Sequence, residues 1–392
     1  MKDVFILGGA RTPMTEYTGA LKDLSALELG AAASRAALAK SGVDPAWVDH
    51  VVFGNVMQTS ADAIYGARHV ALEAGLPIEV PALTVNRLCG SGIQAAVSGA
   101  QHIQLEEADI VLAGGMESMS QAPHVVRGLR TGLELGQGKL EDSLYEALLD
   151  PMCGLFMAQT AERCAANYAI SREAQDCYAL RSQQLAGEAW EKGRFADEVV
   201  PVEIKTRKGT TLVERDDHLR PDTTLEGLAK LTAAFSKDGT VTAGNASGIV
   251  DGGAALVLAS ARAVESRGLK PLARLAGWAA VGVEPATMGM GPAPAIRKLL
   301  DRVKLSLTGI DLFEINEAFA GQYLAVEKEL GLDRDRVNVN GGAIALGHPL
   351  GMTGTRLLLT LTLELRRRGA RRGIASACIG GGQGIAALIE TV

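Results

Sequence analysis

Apolar residues fall along this chain in two alternating rhythms, short runs at strand period and longer stretches at helical spacing. Val4 to Leu7 predicts a buried strand. Leu24 to Lys40 predicts an Ala- and Leu-rich helix, with Ser25 near its start and Gly42 just past its end. Asp49 to Phe53 predicts a strand ending at Gly54-Asn55, and Asp62 is placed to cap a helix running to about Ala74, stopped by Gly75. Ala82 to Val85 is a further strand. After Cys89-Gly90-Ser91-Gly92, residues Ile93, Ala96, Val97 and Ala100 recur at helical spacing. Asp109 to Ala113 predicts the next strand, ending in Gly114-Gly115. Strands alternating with helices predict an α/β protein with a largely parallel sheet covered on both faces.

From about Ser118 the rhythm changes to turn-rich and charged segments, with helical patterns over Leu155 to Ala169 and from Ser171 to Gly193. After Gly244-Asn245-Ala246-Ser247-Gly248 the chain turns apolar again, with a strand over Ala254 to Ala259 and a helix to about Arg267. Residues 271–392 then repeat the first third in outline. Asp311 to Ile315 ends at Asn316 as Asp49 to Phe53 ends at Asn55. Gly373 to Ala377 ends in Cys378-Ile379-Gly380-Gly381-Gly382, matching Asp109 to Gly115. This predicts two related halves about a pseudo-twofold, residues 1–118 with 245–268 and residues 269–392, with 119–244 inserted. Strand ends of both halves then face one ligand crevice, which brings Cys89, Asn316, His348 and Cys378 together.

Composition narrows the class. The 392 residues are 47% hydrophobic and only 4% aromatic, with 46 glycines, which suits a tightly packed α/β protein. A net charge of -6 argues against nucleic acid as a partner and leaves any anionic ligand to a local basic cluster. One candidate is segment 205–237, where Lys205, Arg207, Lys208, Arg215, Arg220, Lys230 and Lys237 mix with nearly as many acids; the same pattern suits a solvated surface. The five cysteines show no CxxC pair and no zinc spacing, so a reduced compartment and no metal are expected. No signal peptide and no stretch of about 20 apolar residues is visible. The expectation is a soluble, cytoplasmic protein.

Cys89 lies between a strand end and a helix start, where free N–H groups and the helix dipole lower a thiol pKa. Taken alone, a cysteine among small residues is more often an inert packing residue. His348 sits in Gly347-His348-Pro349-Leu350-Gly351, which reads equally as a structural bend. Asn316 alone reads as a helix N-cap, and Cys378 as a buried strand-end thiol. The run Gly380-Gly381-Gly382-Gln383-Gly384 leads into a strand, Ile385 to Ile389, and so fails as a dinucleotide loop.

Six motifs in order change this reading: Asn86-Arg87-Leu88-Cys89-Gly90-Ser91-Gly92, Gly114-Gly115-Met116-Glu117-Ser118-Met119-Ser120, Gly244-Asn245-Ala246-Ser247-Gly248, Asn316-Glu317-Ala318-Phe319-Ala320, Gly347-His348-Pro349-Leu350-Gly351 and Cys378-Ile379-Gly380-Gly381-Gly382-Gln383-Gly384. On these the chain resembles the thiolase family nearly end to end. The resemblance implies two pseudo-symmetric βαβαβαββ halves in a layered αβαβα arrangement with an inserted loop domain. It implies an acyltransferase that cleaves 3-ketoacyl-CoA to acetyl-CoA and a shortened acyl-CoA, or runs the reverse condensation. Cys89 would carry the acyl group. His348 would be its base and an oxyanion donor, with Asn316 orienting a water. Cys378 would exchange a proton with the α-carbon of acetyl-CoA, and the N–H groups of Cys89 and Gly380 would form a second oxyanion hole. Arg220 and Ser247 would contact coenzyme A, which is a substrate rather than a separate cofactor, while Met157, Met288 and Phe319 would line the thioester tunnel. A homodimer or homotetramer is expected.

Asp62-Ala63-Ile64-Tyr65, Arg68-His69-Val70, Lys139-Leu140-Glu141-Asp142-Ser143-Leu144 and Asp238-Gly239-Thr240-Val241-Thr242 look like the mitochondrial-type 3-ketoacyl-CoA thiolases. Short-chain biosynthetic members usually carry a His just before the loop-domain Met. Here that residue is Phe156, which points to a site open to longer acyl chains, with an acetoacetyl-CoA-forming acetyltransferase as the alternative. Two other readings differ in kind. A ketosynthase-like condensing enzyme would use Cys-His-His or Cys-His-Asn, against which the second cysteine argues. A silent lipid carrier or scaffold would be marked by loss of Cys89 or His348, and both are present.

Overall fold

In the computed structural model, which describes residues 2–206 and 209–392, two sheets of similar plan meet along one thin seam. Arg207 and Lys208 of the basic segment lie outside the described residues. The first sheet contains β1 (Val4–Arg11), β2 (His50–Gly54), β3 (Ala82–Val85), β4 (Ile110–Glu117) and β5 (Val250–Ser260). The second contains β6 (Ala273–Gly282), β7 (Leu312–Ile315), β8 (Arg372–Ile379) and β9 (Gln383–Thr391). The strand order is β7-β8-β9-β6-β1-β5-β4-β2-β3, and β1 pairs with β6 through Phe5–Arg274 and Ile6–Ala273. Read outward from this seam, β1-β5-β4-β2 and β6-β9-β8-β7 follow the same order of roles. The place of β3 in the second half is taken by the segment at Val337, which bridges to Phe313 in parallel.

The sheet is mixed, which corrects the largely parallel expectation. Parallel pairing joins β2 to β3 and β4, and β7 to β8, while the strands around the seam pair antiparallel. A wholly parallel sheet needs a crossover connection, usually helical, between each strand and the next. Here β8 returns as β9 through Gly380-Gly381-Gly382, whose last two residues have φ of 77° and 83°. A Cβ on Gly382 would also stand 2.3 Å from the Val283 carbonyl oxygen, so glycine is required twice over.

The helices that place the site are α1 (Ala26–Ser41), α2 (Ser91–Gln104), α3 (Met157–Asn167), α4 (Arg172–Glu191), α5 (Pro292–Val303), α6 (Ala320–Leu330) and α7 (Leu350–Arg368). Between the two sheets lie α2 and α7, buried together. They cross at glycines: a Cβ on Gly92 would sit 2.3 Å from Thr355 N, and one on Gly354 2.3 Å from Ile93 N. Around that crossing Ile93, Ala96 and Ala100 pack with Leu357, Leu358 and Leu361 and with strand residues of both halves. On the outer faces α1 covers β1, β4 and β5, while α5 and α6 cover the second sheet. The result is the expected αβαβα layering. Among the described residues no helix is long and apolar enough to cross a membrane.

Local capping follows the sequence in most places. Ser25 and Glu28 form a capping box on α1, and Gly42 closes it in the left-handed conformation. Ser171 caps α4 by accepting the Ala174 N–H at 3.1 Å. Asp62 does not cap a helix. Its carboxylate instead accepts the Ser60 hydroxyl at 2.7 Å, and Gly66 breaks the segment into a short 3₁₀ turn and a helix over Ala67–Glu73.

The inserted segment is tied inward by charge. Arg11, fully buried on β1, pairs with Glu198 and, through two nitrogens, with Asp216. On its other side Tyr178 of α4 stacks on Tyr323 of α6 at 4.3 Å. The stack holds α4 against the second half, and Met157 in the first turn of α3 stands beside Gly380 at the end of β8.

Candidate active site

The chain between β3 and α2 is wound into a tight turn. Leu88 has φ of +45°, a conformation that costs an ordinary residue ~1 kcal/mol. Neighbouring side chains offset that cost. Asn86 Oδ1 accepts the Leu88 N–H at 2.9 Å, and Ser91 Oγ donates to the Leu88 carbonyl at 2.7 Å while accepting the Arg87 N–H at 2.8 Å. This is why the motif needs Asn86 and Ser91. The turn lifts Cys89 onto the start of α2, where the backbone N–H groups of Gly380 and Cys89 lie near its sulfur.

The pKa expectation for Cys89 is corrected by its surroundings. Burial pushes the thiol up to about 11, and the N–H donors oppose this only in part. A helix start lowers a thiol pKa when the sulfur meets solvent, but here it meets an apolar wall. Cys378, on β8, is fully buried, and burial together with the nearby Cys89 and Cys164 sulfurs holds its thiol well above the ordinary range. In the free protein both cysteines are thiols at neutral pH.

His348 follows Gly347, whose φ of +94° and close approach to Val250 exclude any side chain. Its N–H is held by the Gly248 carbonyl at 2.9 Å, which accounts for the Gly244–Gly248 motif. Thr353 Oγ1 donates to the Pro349 carbonyl at 3.0 Å and so accepts from His348 Nδ1 at 2.6 Å. That fixes the tautomer with a free lone pair on Nε2, which receives the Asn316 amide at 3.2 Å. Burial, with Arg356 adding to it, pushes the imidazole down to about 3, so it is neutral at physiological pH and available as a base. Asn316 is not an N-cap: α6 starts at Ala320, and the Asn316 N–H donates to Ser376 on β8 at 2.9 Å. Its buried Oδ1 has no partner among the described residues.

Cys89, His348 and Cys378 open together into one cavity of about 440 Å³, walled mostly by apolar side chains including Met157, Met288, Phe319 and Phe235, with Ser247 on its rim. Two thiols and a neutral imidazole at the floor of an apolar tunnel can form and break a thioester while moving protons over short distances.

Two family models, described as Thiolase, N-terminal domain and Thiolase, C-terminal domain, match residues 4–262 and 269–391. This chain belongs to the thiolase family. It is similar to human mitochondrial 3-ketoacyl-CoA thiolase, at 54% identity covering 100% of this chain and 99% of the relative. A crystal structure of that human thiolase superposes with a TM-score of 0.98, covering 100% of this chain and 99% of that one. The acetyl-CoA acetyltransferase of Pseudomonas aeruginosa is 50% identical over 98% of each chain. The protein is therefore a thiolase, an acyltransferase working through a cysteine thioester. One expectation is overturned. Five relatives at 52–54% identity bear the word mitochondrial in their names, which removes the ground for calling this chain cytoplasmic.

The remaining site residues of this thiolase are placed unevenly. Gly380 reaches the site through its N–H. Phe156 does not line the cavity: its ring packs on Tyr145 at 4.7 Å and Phe235 at 6.3 Å, one layer behind the wall. Arg220 lines an adjoining cavity of about 480 Å³ that shares His218 and Ala243 with the first. It is not a free cation there, because its guanidinium pairs with Glu16. Sequence reasoning missed Thr353, the hydroxyl that orients His348, and Phe235, Leu148 and Leu350 of the wall. Thr353 carries a weak signal, a lone hydroxyl in the first turn of an apolar helix five residues past the histidine.

Proposed function

We propose that this thiolase cleaves 3-ketoacyl-CoA thioesters longer than C4, with Cys89 as nucleophile, His348 as its base and Cys378 as the acid and base at carbon. What supports this best is the convergence of the three side chains on one apolar cavity. In the first half-reaction Cys89 Sγ attacks the C3 carbonyl and its proton passes to His348 Nε2. The C2–C3 bond breaks, its electron pair goes to C2, and C2 takes the Cys378 proton, releasing acetyl-CoA. In the second, free coenzyme A gives its proton to Cys378 and attacks the thioester. Cys89 departs and regains its proton from His348. Protons balance over the cycle, and no separate cofactor takes part.

Oxyanions form at two places. His348 and a water held by Asn316 would face one, and the N–H groups of Cys89 and Gly380 the other. Coenzyme A would enter between Ser247 and the inserted segment 119–244, with its adenine end near Arg220 in the adjoining cavity. A solved relative, the human mitochondrial 3-ketoacyl-CoA thiolase in complex with CoA, has a TM-score of 0.98 to this chain, with 53% identity over 100% of this chain and 98% of that one.

The chain-length reading rests on Phe235 in the cavity wall and on Phe156, which backs it with Tyr145, where a histidine would place a polar group behind the wall. Expected turnover of a C8 3-ketoacyl-CoA is within about fivefold of the C4 substrate, since added methylenes stay in apolar surroundings. Strict C4 selectivity would reassign the chain to the acetoacetyl-CoA-forming acetyltransferases.

Self-association is also proposed. The edge strand β3 leaves one side unpaired, and Ile64, Tyr65, Ile78 and Leu83 around it are 71, 59, 72 and 42% exposed. The segments are joined, since Arg68 donates to the Ile78 and Val80 carbonyls. An apolar rim beside an open strand edge fits a second copy of the chain. Light scattering should give two or four times the chain mass of 40.9 kDa; a monomer at micromolar concentration would refute this.

A further inference from the structure

Glu117, the last residue of β4, is fully buried, and none of the steps above uses it. A carboxylate is kept inside a protein only when it is well bonded. Its Oε1 accepts Asn55 Nδ2 and the Met57 N–H, each at 3.0 Å, and its Oε2 accepts the Val56 N–H at 3.1 Å and the Gly351 N–H at 2.8 Å. These donors belong to two different arms. Segment 55–57 leads to the nucleophile: the Val56 carbonyl accepts Asn86 Nδ2 at 3.1 Å, and Asn86 holds the Leu88 N–H beside Cys89. Gly351 leads to the base. It opens α7 three residues past His348, in the same turn as Thr353, which accepts from the imidazole. The Gly351 arm approaches closely, since a Cβ there would stand 2.5 Å from the Met116 carbonyl oxygen.

We propose that Glu117 is a positioning residue that sets the spacing of Cys89 and His348 by tying both turns to one carboxylate. The inference rests on the roles given above to Cys89 and His348. Glu117 touches neither substrate nor sulfur, so its effect falls on the acylation step rather than on coenzyme A binding. In Glu117→Gln an amide of the same shape turns an NH₂ toward two of the four donors, so either Asn55 and Met57 or Val56 and Gly351 lose their acceptor.

The test is rapid-quench acylation of Cys89 by acetyl-CoA, with coenzyme A affinity by calorimetry and the melting temperature measured beside it. Glu117→Gln should acylate about 10²-fold slower, the scale of a ~1 Å misplacement, with affinity within about twofold of the parent. Asn55→Ala removes one donor and keeps the carboxylate, and should slow acylation by about fivefold with affinity unchanged. If Glu117→Gln fails to fold, Asn55→Ala decides alone. Parental acylation rates in the folded variants overturn the proposal, as does a loss of coenzyme A affinity as large as the loss of rate. Mapping the acetyl group in the parent protein separates the two claims: acetyl found elsewhere than Cys89 would sink the nucleophile, whatever Glu117 does.

Discussion

Cys89→Ala abolishes the acyl-enzyme: after incubation with acetyl-CoA, intact-mass spectrometry finds no 42 Da adduct, a mass that is roughly that of one acetyl group replacing a proton. Turnover in both directions drops by at least about 10⁴-fold, because every step passes through this thioester. Folding is spared, since the methyl of alanine fits under the same turn and the bonds of Asn86 and Ser91 do not involve the sulfur. A control on the parent protein uses the direction of its pKa. With the thiol raised to about 11, alkylation of Cys89 by iodoacetamide should keep rising through pH 8 to 10, about tenfold per unit, as thiolate forms. A thiol activated at rest would plateau near neutrality instead. Acetylated Cys89→Ala at normal yield would place the nucleophile elsewhere, and a plateau below pH 8 would show that His348 already holds the proton in the free protein.

The Cys89 thiol depends on surroundings that its neighbours in sequence do not specify. Helices with strong end signals were legible: α4 lies between Ser171 and Gly193, and α1 between Ser25 and Gly42, as their caps imply. The pairing of halves was also legible, because Asn55 and Asn316 follow equivalent strands, although β4 runs on through Gly114-Gly115 to Glu117 while β8 stops just before Gly380. Strand direction was not, although the β8–β9 hairpin and the insertion both interrupt the strand–helix rhythm, because the antiparallel pairs β1–β5, β1–β6 and β6–β9 join segments far apart in the chain. Asp62 looked like a cap because residue type is local, whereas the Ser60 hydroxyl and the Gly66 break that redirect it follow from the loop's path. The sign of the Cys89 shift failed for a related reason. A helix start can be read from neighbours in sequence, but the apolar cavity around the sulfur is assembled from segments far apart in the chain. Phe156 shows the same limit at the wall. Its type predicted apolar character correctly, but only the packing shows Phe235 standing between it and the cavity.

Cys378 separates two kinds of proton transfer that a single activity assay would merge. The thiol of coenzyme A has an ordinary thiol pKa, near 8.5 by analogy with cysteine, so at pH 8.5 about half of it is ionised without help. Transfer of acetyl from Cys89 to such a thiol should therefore survive in Cys378→Ala, within about tenfold of the parent at that pH. Carbon has no such alternative. Protonating C2 after cleavage, or removing its proton before condensation, needs an acid or base inside the cavity, and His348 is already engaged with Cys89. Thiolysis and condensation should fall by about 10³-fold, the scale of losing a positioned general acid. Exchange of the C2 protons of acetyl-CoA with D₂O, followed by NMR, should fall with them. Because burial holds the Cys378 thiol high, the thiolate left after it protonates carbon is a strong base, and it is restored only by the incoming thiol. Equal loss of acetyl exchange and carbon chemistry would remove Cys378 from its place at carbon and return it to the packing role that its buried strand end also allows.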